Sequence, residues 1–280
     1  TNNWYLQNRL LRGIRQACSQ HDYDIIVYPS DNLADETYNL QTSHVTHLDG
    51  IITIPILEND QTNQTAYEAL AKRGIPVVQL LVDFWRQFPV FSRDYIRVGY
   101  EAVRTLYNYG HRNIGLIVFD NYTDPKHGPG SWGIVKGSRM ASEDFGVNLK
   151  LYPMNSICER ELYIQSAESI TDSILRSEDC PTALIATSCY IAYGAYSAIN
   201  KHGISIPGDM SLISCGDDAE PFGQFVPNFA IFPASLEELG RQSAEYCLLE
   251  PEKRTVLRQL IYSDLIPGDT IGPVSVKKRK

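Results

Sequence analysis

Two adjacent carboxylates, Asp217 and Asp218, are the residues in this sequence best placed to bind a ligand. They follow an apolar run, Ser211 to Cys215, which itself follows a helical pattern, a glycine and a proline. That order predicts a strand–helix–strand unit in which the aspartates end the second strand. Because open α/β sheets bind ligands at the carboxyl ends of their parallel strands, the pair indicates a small-molecule site.

Two other patterns suggest chemistry but lack the context that it needs. Residues 128–133 read G-P-G-S-W-G, yet eight residues separate them from the strand that ends at Phe119, and Pro129 removes an N–H that a pyrophosphate would require. His44 and His47 are three positions apart on a predicted helix, but no nearby cysteine or carboxylate pattern completes a metal site. The sequence also has no nucleophile elbow. We therefore expect no cofactor, no metal ion and no enzyme activity.

Composition narrows the function classes. The chain has 280 residues, 43% of them hydrophobic, and a formal net charge of −8, so by itself it is a poor binder of nucleic acid. Its six cysteines show no CxxC spacing, which favours a reducing compartment over a disulfide framework or a zinc ribbon. No apolar run reaches the roughly 18 residues that a membrane span needs. These features predict a cytoplasmic protein that does not contact a membrane.

Apolar runs and helical periodicities alternate along the whole chain. Strands are predicted at 24–28, 50–54, 77–82, 114–119, 149–153, 183–186, 211–215 and 257–262, with helical patterns between them. Such alternation specifies the α/β class, with parallel sheets covered by helices on both faces, and this many strands suit two sheets better than one. The first helical pattern has no strand before it. We therefore expect that a central strand of the first sheet is missing from this sequence.

Five motifs occur in order at separations typical of one family. They are L-D-G-I-I at 48–52, G-I-P-V-V at 74–78, G-H-R-N-I at 110–114, P-G-D-M-S at 207–211 and L-G-R at 239–241. On these motifs the chain resembles the effector-binding core of the lactose/galactose repressor (LacI–GalR) family over essentially its whole length. The resemblance implies a periplasmic-binding-protein type I fold, with two Rossmann-like lobes joined by three crossovers. The lobes would comprise 1–110 plus about 232–255, and about 111–231 plus about 256–280.

The resemblance also implies a function. Family members bind a small, sugar-like effector between the lobes, form homodimers, and bind operator DNA through a separate N-terminal domain that we do not find in this sequence. A secreted sugar-binding protein of a transport system shares the fold and is the alternative, although the free cysteines and the G-H-R and P-x-D-x-S motifs argue against it. An α/β enzyme and a core attached to a winged-helix domain are further alternatives.

The family's ligand contacts map onto this sequence with several departures. The resemblance implies that Asn3, Trp4 and Tyr5 supply an aromatic platform, which can stack on a sugar or a base. Trp132 lies in a loop that contacts the effector in the family. The family's effector aspartate falls on Gly216 when counted from Ser211 but on Asp217 when counted back from Pro227; we favour Asp217, with Asp218 as the second choice.

Other positions depart from the family pattern or have a second interpretation. Ile134 stands where the family usually has an arginine, Ser188 and Cys189 stand at an asparagine–aspartate pair, and Pro267 replaces another common arginine. Asp94 matches a family aspartate, although this position more often caps a helix than contacts ligand. We therefore expect a ligand pocket whose usual sugar-binding polar residues are partly replaced.

Overall fold

A computed structural model describes residues 4–30, 32–41, 47–55, 61–125, 128–155, 160–216 and 228–274. The helices are α1 (Trp4–Ser19), α2 (Leu33–Gln41), α3 (Gln61–Lys72), α4 (Tyr95–Asn108), α5 (Pro129–Phe145), α6 (Arg160–Leu175), α7 (Cys189–Lys201) and α8 (Leu236–Leu248). The strands are β1 (Ile51–Thr53), β2 (Val77–Leu80), β3 (Val90–Arg93), β4 (Asn113–Phe119), β5 (Asn148–Met154), β6 (Ala183–Ala186), β7 (Ser211–Ser214), β8 (Ala230–Ile231) and β9 (Arg258–Ile261). Within these described ranges, no helix is long and apolar enough to cross a bilayer.

The chain divides into two compact units, each with its own parallel sheet. Unit 1 comprises Thr1–Arg93 and Ser235–Ile261, and unit 2 comprises Asp94–Ala234 and Tyr262–Lys280. The sheet order is β1-β2-β3-β9 in unit 1 and β5-β4-β6-β7-β8 in unit 2. All of these strand pairs are parallel. This arrangement confirms the predicted α/β class with two parallel sheets.

In unit 1, close packing of α1 on α8 covers one face of the sheet region. A Cβ atom on Gly13 would overlap the carbonyl oxygen of Glu237, and one on Gly240 would overlap that of Leu10. Glycine at both positions therefore lets the two helix backbones approach each other. The guanidinium of Arg9 then donates to both carboxylate oxygens of Glu237, at 2.8 and 2.7 Å. The glycine of the L-G-R motif is thus a packing residue.

In unit 2, the central strands carry the apolar core. Strands β4, β6 and β7 bury nearly all of their side chains, as expected for strands with helices on both faces. Helix α4 packs along α5 in the same glycine-dependent way, because a Cβ on Gly99 would overlap the backbone of Ile134, and one on Gly137 the carbonyl oxygen of Ile96. The Ser138 hydroxyl donates to the carbonyl oxygen of Gly99 at 3.2 Å.

This helix pair moves the unit boundary away from the predicted one. We expected the first lobe to run to residue 110, but unit 1 ends at Arg93 and α4 belongs to unit 2. The physical reason is that α4 contributes Val98, Ala102 and Leu106 to the buried core that α5 and β4 also build. The return segments likewise shift, to 235–261 in unit 1 and 262–280 in unit 2.

Three strand assignments differ from the sequence prediction. Residues 24–28 belong to no strand, because no neighbouring strand pairs with them in the described part of the chain. Two short strands, β3 and β8, were not predicted at all.

Candidate functional site

The carboxyl edge of the second sheet gathers the ends of its parallel strands. Phe119 of β4 is in register with Met154 of β5, and Ala186 of β6 with Ser214 of β7. Helices α5 and α7 begin just beyond β4 and β6, so their N-terminal N–H groups lie at the same edge as the residues that follow the strands. Such an edge provides both side-chain hydrogen-bonding groups and backbone donors for a small molecule.

The connection from β4 to α5 supplies the aromatic part of this edge. Residues Asp120–Thr123 form a 3-10 turn, and Gly128 caps α5. A Cβ atom on Gly128 would lie 2.6 Å from the carbonyl oxygen of Asn121, so this glycine is needed for close packing of the loop. Trp132 lies in the first turn of α5, half-buried, and the Nζ atom of Lys136 is 4.9 Å from the centroid of its indole ring. The G-x-G-x-x-G pattern therefore contains the N-cap and the first turn of α5.

The connection from β6 to α7 supplies the polar part. Ser188 caps α7, because its hydroxyl accepts a hydrogen bond from the N–H of Ile191 at 3.3 Å. Cys189 is buried beneath it, with 2% of its surface exposed. The hydroxyl of Thr187 is also buried and has no hydrogen-bond partner within the described ranges. A buried hydroxyl of this kind is uncommon in folded proteins, and here it lies beside a helix N-terminus.

The other residues predicted to bind ligand fall into four groups. Ile134 is 2% exposed and lies in the core between α4 and the sheet. Asp94 caps α4, its Oδ1 accepting from the N–H of Arg97 at 3.0 Å, as its second interpretation predicted. Trp4 and Tyr5 begin α1. Asn3, Asp217 and Asp218 lie outside the described residues.

Two of the family motifs meet at the opposite, amino edge of the same sheet. His111 of G-H-R is 1% exposed, and its Nε2 atom lies 3.1 Å from both the hydroxyl of Ser211, in P-x-D-x-S, and the carbonyl oxygen of Gly272. Its Nδ1 atom lies 2.9 Å from the hydroxyl of Thr182. A carbonyl oxygen can only accept, so Nε2 carries the proton and Nδ1 accepts from Thr182.

This histidine connects the starts of β4, β6 and β7 to the C-terminal segment. Burial lowers the pKa of His111, and the nearby Arg112 adds to that effect, although the bond to Gly272 opposes it. The neutral imidazole is therefore the form that the fold favours. Because the histidine lies at the amino ends of the strands, its role is to hold the scaffold together rather than to bind ligand.

Several residues at the carboxyl edge were not predicted as site residues. Asp120, Asn155 and Thr187 directly follow β4, β5 and β6. The signal that finds them is their position immediately after an apolar run, which the prediction used only for the strand that ends before Asp217. His47, one of the two histidines considered for a metal site, is exposed, and His44 lies outside the described residues. The described ranges hold no cluster of metal-binding side chains.

Comparison with known proteins agrees with this architecture. Residues 103–271 match the family model of the periplasmic binding protein-like domain. The Ribose operon repressor of Haemophilus influenzae is 26% identical over 94% of this chain and 79% of that protein. Catabolite control protein A of Priestia megaterium is 25% identical over 73% of this chain. The match spans only 59% of that regulator's length, so the relative has substantial sequence beyond the matched region.

Solved structures show the same fold. A LacI family transcriptional regulator from Bifidobacterium animalis superposes with a TM-score of 0.78 at 20% identity, covering 98% of this chain and 96% of that one. A LacI family regulator from Enterococcus faecium, solved with bound ribose, gives a TM-score of 0.76 at 20% identity, covering 98% and 97%. The family model, the named relatives and the shared fold agree. The chain therefore belongs to the periplasmic binding protein-like domains, as the effector-binding core of the LacI family of transcriptional regulators.

Proposed function

We propose that this chain senses a small, sugar-like molecule at the carboxyl edge of its sheets and passes that signal to a DNA-binding domain. The observation that carries the proposal is the geometry of unit 2, in which the indole of Trp132 and the α7 cap at Ser188 follow neighbouring strand ends. An aromatic ring can stack on a sugar face, and hydroxyl and backbone N–H groups can bind its oxygens. The ribose bound in the Enterococcus faecium structure supports this chemical class.

The same proposal covers the partners. The core would act as a homodimer in the cytoplasm, and its contact with operator DNA would pass through a domain outside this sequence. A net charge of −8 supports a separate DNA-binding domain, because an acidic core lacks the positive surface that phosphate contacts need. The core would convert no substrate, since its response requires only a difference in effector affinity between two states. The relatives' names, which are those of regulators, favour this role over transport.

A thermal-shift panel of sugars, sugar phosphates and purines tests the proposal. A ligand present at a hundredfold its Kd stabilises the folded state by about 2.7 kcal/mol, which raises Tm by several degrees. We expect a sugar to raise Tm. Trp132→Ala or Ser188→Ala should weaken its binding and increase Kd at least about tenfold. Asp217→Ala tests the favoured aspartate in the same assay.

The matched control is Tyr38→Ala, which removes an aromatic ring that is 71% exposed on α2. This variant should bind the same ligand with unchanged Kd. A ligand whose affinity is unaffected by substitutions of both Trp132 and Ser188 would show that the carboxyl edge of unit 2 is not the sensing site. If the panel gives no shift with any sugar, the proposed chemical class is wrong.

A further inference from the structure

Thr187, the residue directly after β6, holds a buried hydroxyl that the described residues do not use. The residue is 9% exposed, and its Oγ1 atom has no hydrogen-bond partner in the described ranges. Its backbone N–H donates to the carbonyl oxygen of Ile117 at 3.3 Å, so the main chain is held in place while the hydroxyl is left over. A buried hydroxyl without a partner lowers stability, and such groups are rare in folded proteins. A bound ligand is one source of the missing partner.

The alternation of side chains along β6 shows which way Thr187 points. Ala183 and Ile185 lie in the core that α4 and α5 build, and every second residue of a strand shares a face. The parallel register continues past the end of β6, so Thr187 lies beside Val118 of β4 and Cys215 after β7. Both neighbours are fully buried. The Thr187 hydroxyl therefore lies on the α5 face, between two apolar side chains.

Two helices begin around this strand end, one on each face of the sheet. Helix α5 carries Trp132 in its first turn and covers the face of Thr187. Helix α7 covers the other face, where it packs on Leu184 and Ala186. Ser188 is extended, so its side chain points away from that of Thr187, and it caps α7. Thr187 is thus on the same face as the helix that carries Trp132, and it serves neither helix as a cap.

We propose that the hydroxyl of Thr187 binds a hydroxyl group of the effector and thereby selects among sugars. This inference rests on the proposed function, which puts the effector at this edge. A threonine hydroxyl both donates and accepts, as a sugar hydroxyl does, whereas a charged group would lose its hydration between Val118 and Cys215. Rotation about the Cα–Cβ bond can turn the hydroxyl towards a ligand without breaking a hydrogen bond, because it makes none in the described ranges.

Thr187→Val tests the proposal, because it keeps the shape of the side chain and removes the hydroxyl. Titration calorimetry with the neutral sugars of the thermal-shift panel, including ribose, glucose and galactose, identifies a sugar that the original chain binds. We expect Thr187→Val to increase the Kd of that sugar at least about tenfold. The same variant should raise the Tm of the ligand-free chain, because it removes a buried hydroxyl that lacks a partner. Thr187→Ser keeps the hydroxyl and should bind with nearly unchanged Kd.

Thr171→Val is the matched control in the same unit. Thr171 is also buried, but its hydroxyl donates to the carbonyl oxygen of Ala167 at 2.7 Å. This variant should therefore lower Tm and leave Kd unchanged. Monodeoxy analogues of the same sugar then identify the hydroxyl that Thr187 contacts. One analogue should bind the original chain as weakly as the parent sugar binds Thr187→Val, and combining both changes should cause no further loss.

The outcomes separate this inference from the proposed function. An unchanged Kd in Thr187→Val, while Trp132→Ala still weakens the sugar, overturns the inference and leaves the proposed function standing. If no sugar of the panel binds the original chain, both fail. A weaker Kd in Thr187→Val that comes with a lower Tm also overturns the inference, because the hydroxyl would then support the fold. So does further loss in Thr187→Val with every monodeoxy analogue.

Discussion

Replacing His111 with alanine removes the side chain that connects three strand starts to the C-terminal segment. The imidazole lies within hydrogen-bonding distance of Thr182, Ser211 and Gly272, and it is 1% exposed. Loss of two net hydrogen bonds costs about 2 kcal/mol, and the cavity left in a closely packed site adds about 1–2 kcal/mol. We therefore expect the free energy of unfolding to fall by about 3–4 kcal/mol, a large part of the 5–15 kcal/mol typical of folded domains.

The same histidine gives stability a pH dependence of known sign. Burial lowers the pKa of folded His111 below the value of 6.5 that it has when unfolded. The unfolded chain therefore takes up the proton first as the pH falls. The stability contributed by neutral His111 is complete above pH 6.5 and is lost as the pH falls from 6.5 towards the lowered pKa. His111→Gln keeps part of the hydrogen bonding and should remove this dependence.

Urea denaturation at pH 7.5 and pH 5.5, followed by circular dichroism, measures both effects. The control is His202→Ala, because His202 pairs with Asp172 at 2.9 Å on the surface and such exposed pairs contribute less than about 1 kcal/mol. If His111→Ala costs no more than His202→Ala, the amino edge does not depend on this histidine. If the loss between the two pH values persists in His111→Gln, another group titrates and the assignment is wrong.

Two further predictions follow from local packing. Gly137→Ala should lower the free energy of unfolding by about 3 kcal/mol in the same urea assay, because its Cβ would overlap the carbonyl oxygen of Ile96. Gly130→Ala on the same helix meets only side-chain atoms of the Tyr95 ring, at 3.2 Å, and should be nearly neutral. Equal effects would contradict the close approach of α4 and α5. Desolvation raises the pKa of Cys247 to about 12, so at pH 8 its thiol should stay protonated. Peptide mapping should find it unmodified by iodoacetamide under conditions that label it in the denatured chain, and equal labelling would contradict the raised pKa.

Local patterns predicted the α/β class because buried parallel strands and their helices leave strong periodicities in the sequence. They failed where pairing depends on a distant partner. Residues 24–28 have the apolar, β-branched composition of a strand, yet a strand exists only when a neighbour supplies its hydrogen bonds. The short strands β3 and β8 show the converse, since their neighbours in the sheet define them rather than any pattern of their own.

For the candidate site, the sequence left more than one use open, because one residue type can serve packing or binding. Asp94 matched a family contact by position, but its carboxylate caps α4. Ile134 stands where the family usually has an arginine, and the structure places it in the core beside Gly99. Sequence spacing located both residues correctly on their helices. It could not show whether each side chain packs, caps a helix or binds a ligand, because that depends on how α4 and α5 pack.

The two edges of the second sheet explain why the family is easier to recognise than the effector. The histidine of G-H-R and the serine of P-x-D-x-S contact each other at the amino edge, where they hold strand starts together whatever molecule is sensed. Trp132 and Ser188 lie at the carboxyl edge, where the scaffold requires only a helix start and a cap. Because β4, β6 and β7 separate these edges, residues at the carboxyl edge can change without disturbing the His111 contacts. The motifs therefore specify the scaffold, and we propose that effector choice depends on residues of the carboxyl edge that no scaffold motif contains.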